Sequence, residues 1–111
     1  MRTFEFEFPG DRPATSRAHV GVVGSGDLEV LVVPGPTDTA AVRVRTSVDG
    51  FDDIWRNVLS RFFTRYGLTG SIEINDFGAT PGVVSIRLLQ ALDQSFDQAL
   101  DQSTEPKTEE G

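Results

Sequence analysis

The sequence predicts an α+β fold: one domain with a mainly antiparallel sheet of about six strands, two helices packed on one face of that sheet, and a disordered acidic C-terminal tail. Three observations carry this reading. Phe4, Phe6 and Phe8 alternate with Glu5 and Glu7, the period of two that puts rings on one face of a strand and carboxylates on the other. Between Phe51 and Tyr66 the apolar residues recur at helical spacing with polar residues between them. The chain has 111 residues, 38% of them hydrophobic, enough for one compact core and too few for two domains. The domain is expected over residues 1–100 and the tail over 101–111.

The elements follow in order. After the Phe-rich strand, Pro9, Gly10 and Pro13 mark a loop. His19 to Val23 and Leu28 to Val33 are β-branched runs separated by Gly24-Ser25-Gly26-Asp27, which reads as a hairpin. Pro34-Gly35-Pro36 ends the second run, and Ala41 to Thr46 forms a further strand with Val42 and Val44 on one side and Arg43 and Arg45 on the other. In the amphipathic helix that follows, Phe51, Ile54, Trp55, Val58, Leu59, Phe62, Phe63 and Tyr66 make the buried face. Asp49 is suited to cap it, Asp52 and Asp53 sit at the positive end of its dipole, Arg61 and Arg65 at the negative end, and Gly67 terminates it. Ser71 to Asn75 and Val83 to Leu88 read as two strands joined by Asp76-Phe77-Gly78-Ala79-Thr80-Pro81-Gly82 in a second hairpin. The spacing of Leu89, Leu92, Phe96, Ala99 and Leu100 predicts a short final helix. From Asp101 onward there are four acids, one Lys and no large apolar residue, a composition that cannot bury enough surface to order itself.

Composition removes several classes of function. With no Cys and only one His, His19, disulfides, thiolate chemistry, a thiol nucleophile and a multi-histidine metal site are excluded. A formal charge of -7 is the wrong sign for coating nucleic acid or an anionic membrane surface. No stretch approaches the roughly 20 apolar residues that span a bilayer, and Met1 to Phe6 lacks a signal-peptide apolar region. The expectation is a soluble cytoplasmic protein that meets small molecules or other proteins.

Few residues are placed for chemistry. His19 stands in an apolar run without an evident partner. Asp52 with Asp53 fits helix capping, and Asp76 fits a turn. Gly21-Val22-Val23-Gly24-Ser25-Gly26 lacks the spacing and the following helix of a phosphate-cradling loop. There remains Ser25, flanked by Gly24 and Gly26 and followed by Asp27. Gly, Ser and Asp are what a tight turn needs, but glycines on both sides also leave the hydroxyl unobstructed, as an enzyme-modified serine requires, with Asp27 able to hold the turn through the local backbone.

The run Val20-Gly21-Val22-Val23-Gly24-Ser25-Gly26-Asp27-Leu28-Glu29-Val30-Leu31, together with Asp76-Phe77-Gly78-Ala79-Thr80-Pro81-Gly82-Val83-Val84, resembles the malonate decarboxylase delta subunit family, whose members are acyl carrier proteins. The resemblance runs from Phe4 to about Leu92. Ser25-Gly26-Asp27-Leu28 is also similar to the serine, any residue, aspartate, apolar pattern of the citrate lyase acyl carrier subunit, a weaker likeness confined to this hairpin. The first resemblance implies that residues 1–100 are an acyl-carrier domain and that Ser25 carries 2'-(5''-phosphoribosyl)-3'-dephospho-CoA through a phosphodiester, with Gly24, Gly26 and Asp27 forming the attachment turn.

It further implies a noncatalytic carrier of malonyl and acetyl thioesters. Its partners would be the acyl-transferase (alpha) and decarboxylase (beta, gamma) subunits of malonate decarboxylase, a prosthetic-group transferase and a malonyl transferase. A chain without cysteine must import the sulfur of any thioester, which agrees with that role. Ordinary phosphopantetheine carriers are helical bundles with their serine at a helix start, so they fit less well. Arg43, Arg45 and Arg87 are cations that could meet the phosphates of such an arm.

Two other readings remain open on the residues alone. One is a noncatalytic interaction module with an unmodified hairpin turn. The other is a small hydrolase using Ser25 with His19, although six extended residues would separate these by roughly 20 Å.

Overall fold

The alternating Phe and Glu residues at the N-terminus form strand β1 (Arg2–Pro9), which pairs antiparallel with β5 (Thr39–Thr46) along its whole length. The computed structural model describes residues 2–47 and 50–96. Between these two strands lie β2 (Arg12–Pro13), β3 (Ala18–Gly21) and β4 (Leu28–Val33); after them come helix α1 (Asp52–Tyr66), strand β6 (Leu68–Asp76) and helix α2 (Pro81–Gln94). The main sheet has the order β1-β5-β6-β4-β3, and the short β2 pairs with β6. β1–β5, β4–β6 and β3–β4 are antiparallel, whereas β5–β6 and β2–β6 are parallel. The β5–β6 pair is parallel because α1 carries the chain across between them, the connection that parallel neighbours require.

Register explains the core. Phe6, Val42, Ile72, Val32 and Ala18 stand in one row across the sheet, and Phe4, Val44, Ile74, Val30 and Val20 in the next. These rows meet the helices: Trp55, Leu59, Phe62 and Phe63 of α1 and Val84, Leu88 and Ala91 of α2 are buried, and Phe8 stacks on Phe63 with ring centroids 5.2 Å apart. Each such large side chain contributes about 2 kcal/mol on burial. The opposite face carries Glu5, Arg43, Glu73, Leu31 and His19 in register. Period-two alternation thus separates an inner apolar face from an outer charged one, and both helices cover the inner face.

Several sequence-based expectations need correction. Val83 to Leu88 is not a strand, and there is no second hairpin among the described residues: β6 runs through a short loop into α2, which begins at Pro81 rather than near Leu89. The apparent alternation of Val84, Ile86 and Leu88 is coincidental. The buried positions are Val84, Leu88 and Ala91, at helical spacing, while Ile86 points into solvent. Thr80 supplies the N-cap, its hydroxyl accepting the Val83 N–H at 3.3 Å, and Pro81 takes the first helical position, where its missing N–H costs nothing.

The sixth strand is instead β2. The first hairpin is also shorter than expected, since β3 ends at Gly21 and leaves Val22 and Val23 outside the sheet and exposed. At the start of α1 the N-cap is Phe51, with no side-chain cap, while Gly67 closes the other end in the left-handed conformation. The expected Asp49 cap, the Ala99 and Leu100 end of the last helix and the acidic tail from Asp101 lie outside the described residues.

Candidate functional site

The hairpin that carries Ser25 is pinched before it widens. Gly21 has φ +81°, and a Cβ there would lie 2.0 Å from the carbonyl oxygen of Leu28, so only glycine lets the two strands approach this closely. Beyond it the chain swings out through Val22 and Val23 and reverses at Gly24–Asp27, where the Asp27 N–H donates to the Gly24 carbonyl at 3.1 Å. Gly26, third in this turn, has φ +78°, the left-handed value that a type II turn demands at that position. Ser25 occupies the second position and is exposed. Among the described residues its hydroxyl has no hydrogen-bond partner. The space around the turn is open: a Cβ on Gly26 would meet nothing within 4 Å, and one on Gly24 only a Val22 methyl at 3.8 Å.

A turn this bare would wander without outside support, and the loop after β6 supplies it. The Gly26 N–H donates to the Phe77 carbonyl at 2.8 Å, and the Phe77 N–H donates back to the Asp27 carbonyl at 3.0 Å. The supporting loop is itself fixed by Asp76, the last residue of β6. Its buried carboxylate accepts the Ala79 N–H at 2.9 Å and the Thr46 hydroxyl at 2.8 Å. The two glycine-bearing motifs, about fifty residues apart in sequence, therefore form one structural unit.

A second clamp comes from α2. Arg87 donates through Nε to Asp27 Oδ1 at 3.1 Å and through Nη2 to Oδ2 at 2.7 Å, a two-pronged pairing. The Leu28 N–H adds a third bond to Oδ1 at 2.7 Å. The Arg87 hydrogen bond, helped by the Leu28 N–H and the Arg87 charge, holds the Asp27 carboxyl below its ordinary range, and the same contact raises Arg87. Arg87 Nη1 also donates to Gln90 at 3.0 Å.

Ser25, Gly24, Gly26 and Asp27 thus sit together in one turn, with the serine presented and the aspartate turned to the protein. Arg87, considered above for a ligand phosphate, is committed to Asp27. Its role escapes a reading that places it on a strand; the Thr80-Pro81 pair, an N-cap followed by a first-turn proline, is the signal that would have put it on a helix. Arg43 and Arg45 lie on the outer face, paired with Glu5 at 3.4 Å and Glu73 at 3.6 Å. His19 is on that face too, with Nε2 2.7 Å from a Glu29 carboxylate oxygen. It makes no hydrogen bond to Ser25, so the pairing that a serine hydrolase needs is not formed. Among the described residues there is no cluster of three or more metal-ligating side chains and no helix long and apolar enough to cross a membrane.

Residues 15–95 match the family model described as the malonate decarboxylase delta subunit. The chain is 50% identical over 95 residues to a protein of Azotobacter vinelandii named malonate decarboxylase acyl carrier protein, covering 85% of this chain and 96% of that one. It is 47% identical, with the same coverage, to the protein of that name from Pseudomonas fluorescens. Among solved structures it superposes with a TM-score of 0.79 and 47% identity on a chain in the crystal structure of a Pseudomonas malonate decarboxylase hetero-tetramer in complex with malonate, covering 84% of this chain and 97% of that one. The chain belongs to the malonate decarboxylase delta subunit family, the acyl carrier proteins of that enzyme.

Proposed function

We propose that this protein is the acyl carrier of a malonate decarboxylase complex and holds malonyl and acetyl thioesters on 2'-(5''-phosphoribosyl)-3'-dephospho-CoA, joined to Ser25 through a phosphodiester. The observation that carries this reading is the contrast at one residue: a hydroxyl with no partner among the described residues, in open space, on a turn held from two sides. The residues fit the group. A serine that must enter a transferase's active site needs access on all sides, which Gly24 and Gly26 leave, and a fixed position, which the Phe77 backbone pair and the Asp27–Arg87 contact provide. When bound, the group supplies the thiol that this cysteine-free chain lacks, and the thioester makes loss of carbon dioxide from malonate easier by delocalising charge at the α-carbon.

The chain's own contribution is position. Ser25 gives up its proton as its oxygen forms the new bond to phosphorus and the donor's bond from that phosphorus to its leaving group breaks; among the described residues no base lies within hydrogen-bond distance of the hydroxyl, so the base and the leaving-group stabilisation are assigned to the loading enzyme. Tethering then raises the effective concentration of the acyl group at successive partner sites without a tight interface. Those partners are the acyl-transferase and decarboxylase subunits, the malonyl transferase that charges the arm, and the prosthetic-group transferase. This assignment is supported by the hetero-tetramer in which the structural relative was solved.

The test is the intact mass of the protein produced with its loading transferase, followed by fragmentation of the Ser25 peptide. An added phosphoribosyl-dephospho-CoA on Ser25 is expected. Phosphopantetheine on that peptide would indicate a different carrier lineage, and bare Ser25 in cells consuming malonate would leave an unmodified interaction module instead.

A further inference from the structure

The loop that supports the Ser25 turn has a second face. Behind it, between the start of α1 and the start of α2, lies a cleft of about 310 Å³ lined by Phe51, Ile54, Trp55, Val58, Ala79 and Val84. Phe51 and Ile54 stand at its mouth, each 41% exposed, while Trp55 forms its floor and is 5% exposed. A larger concavity lies on the outer sheet face, but Glu5, Glu7, Arg43 and Glu73 make it a charged surface. The apolar cleft adjoins the attachment point: Gly78, which lines it, would place a Cβ 3.9 Å from the Gly26 nitrogen, the atom bonded to the carbonyl carbon of Ser25.

We infer that this cleft is a berth for the acyl end of the carrier's own arm, taking the neutral acetyl thioester and refusing the malonyl thioester. The inference rests on the carrier reading above. The acyl group is at the free end of a long flexible arm, which loops back to a pocket beside its own anchor, and the tether holds it there at an effective concentration on the order of millimolar. Selectivity follows from charge. Among the described residues no cation lines the cleft: its acidic lining residue is Asp76, whose oxygens already accept from Ala79 and Thr46, and Asp52, next to Phe51, is paired with Arg2 at 3.6 Å. A malonyl carboxylate there would lose its water and face like charge, both unfavourable. An acetyl group meets only apolar walls. The exchange of acetyl for malonyl would thus eject the arm into solvent at the moment a decarboxylase must receive it, and the return to acetyl would shelter the resting thioester from hydrolysis.

Trp55 is the only tryptophan of the chain and reports on the cleft. The protein is loaded, acetylated or malonylated enzymatically, and each species is verified by intact mass. Indole and amide NMR signals are then compared with those of the unloaded chain. Shifts at Trp55, Ala79 and Val84 in the acetyl form, absent in the malonyl form, are expected. Hydroxylamine should cleave the acetyl thioester about threefold more slowly than on a loaded Ile54→Asp chain, the factor for an arm docked about two-thirds of the time. Acetyl-loaded protein whose shifts stop at the Ser25 turn would overturn the berth while leaving the carrier reading standing, and equal shifts in the two acyl forms would overturn its selectivity. A chain that takes no mass on Ser25 would overturn both readings together.

Discussion

Two loops meet by a pair of backbone hydrogen bonds and are otherwise opposites. Gly24–Asp27 exposes Ser25 and Gly26, has glycine on both sides of its serine and leaves the serine hydroxyl without a partner among the described residues. Asp76–Thr80 is anchored by a buried carboxylate with acceptor bonds at both oxygens and by the N-cap of α2. A residue modified by one enzyme and visited by others must be sterically free yet fixed in space. One loop cannot easily provide both, because the side chains that fix a turn also crowd it. This fold divides the work: the first loop presents and the second holds.

Removing the presented group should have the largest functional effect and the smallest structural one. Ser25→Ala is expected to abolish loading entirely while thermal stability stays within about 0.5 kcal/mol of the parent, as for exposed positions without packing. Intact mass and a melting curve measure the two sides. A loaded Ser25→Ala chain would refute the assignment of Ser25, and a large drop in melting temperature would mean that the serine also supports the fold.

The supporting side should show the reverse pattern. Gly21→Ala puts a methyl onto the Leu28 carbonyl at a left-handed φ; strain of this kind and the steric displacement together are expected to cost about 3 kcal/mol. For a domain of this size that lowers the melting temperature on the order of 10 °C. Asp76→Ala removes the acceptor of the Ala79 N–H and of the Thr46 hydroxyl inside the protein, an expected loss of about 2 kcal/mol. It should also slow loading, since the Phe77 backbone that grips the Ser25 turn is no longer pinned. Urea denaturation with a parallel loading assay checks both variants. An Asp76→Ala chain that loads at the parental rate would show that the grip does not depend on this carboxylate. Gly26→Ala, which adds a side chain in open space at φ +78°, should cost about 1 kcal/mol, from backbone strain alone.

How much of this could be read from the residues follows the same division. The presenting loop was legible: Gly-Ser-Gly-Asp between β-branched runs is a turn by local chemistry, and its motif carries the resemblance. The inner rows of the sheet and the buried face of α1 were legible for the same reason, since Phe4 to Phe8 and Phe51 to Tyr66 have a single dominant period. The support was not. Val84, Ile86 and Leu88 satisfy a strand's period, while Val84, Leu88 and Ala91 satisfy a helix's, so periodicity alone does not choose; the Thr80-Pro81 start signal and tertiary packing select the second. With α2 read as a strand, Arg87 had no reason to face Asp27. Nor could any local pattern show that Phe77 and Gly26, far apart in sequence, exchange backbone hydrogen bonds across two loops.

The Asp27–Arg87 contact is the smallest lever on this comparison and separates holding from folding by pH. Asp27 titrates below its ordinary range when folded, so near and below the usual carboxylate value of about 3.9 the unfolded chain binds more protons than the folded one. The contact's contribution is therefore complete at neutral pH and is lost as the pH falls through the depressed folded value. Arg87→Leu removes the partner whose hydrogen bond is the main cause of that depression, so the variant should lose part of the acid-dependent fall in stability, most visibly at low salt, where partly exposed charges are least screened. Its Ser25 should still take the arm, because the Phe77 backbone pair remains, but more slowly. Melting curves from pH 2 to pH 7 for both chains give the first result and a loading time course the second. Identical acid profiles would mean that this ion pair adds nothing to the fold, whereas unchanged loading kinetics would leave the Phe77 loop as the sole clamp on the attachment turn.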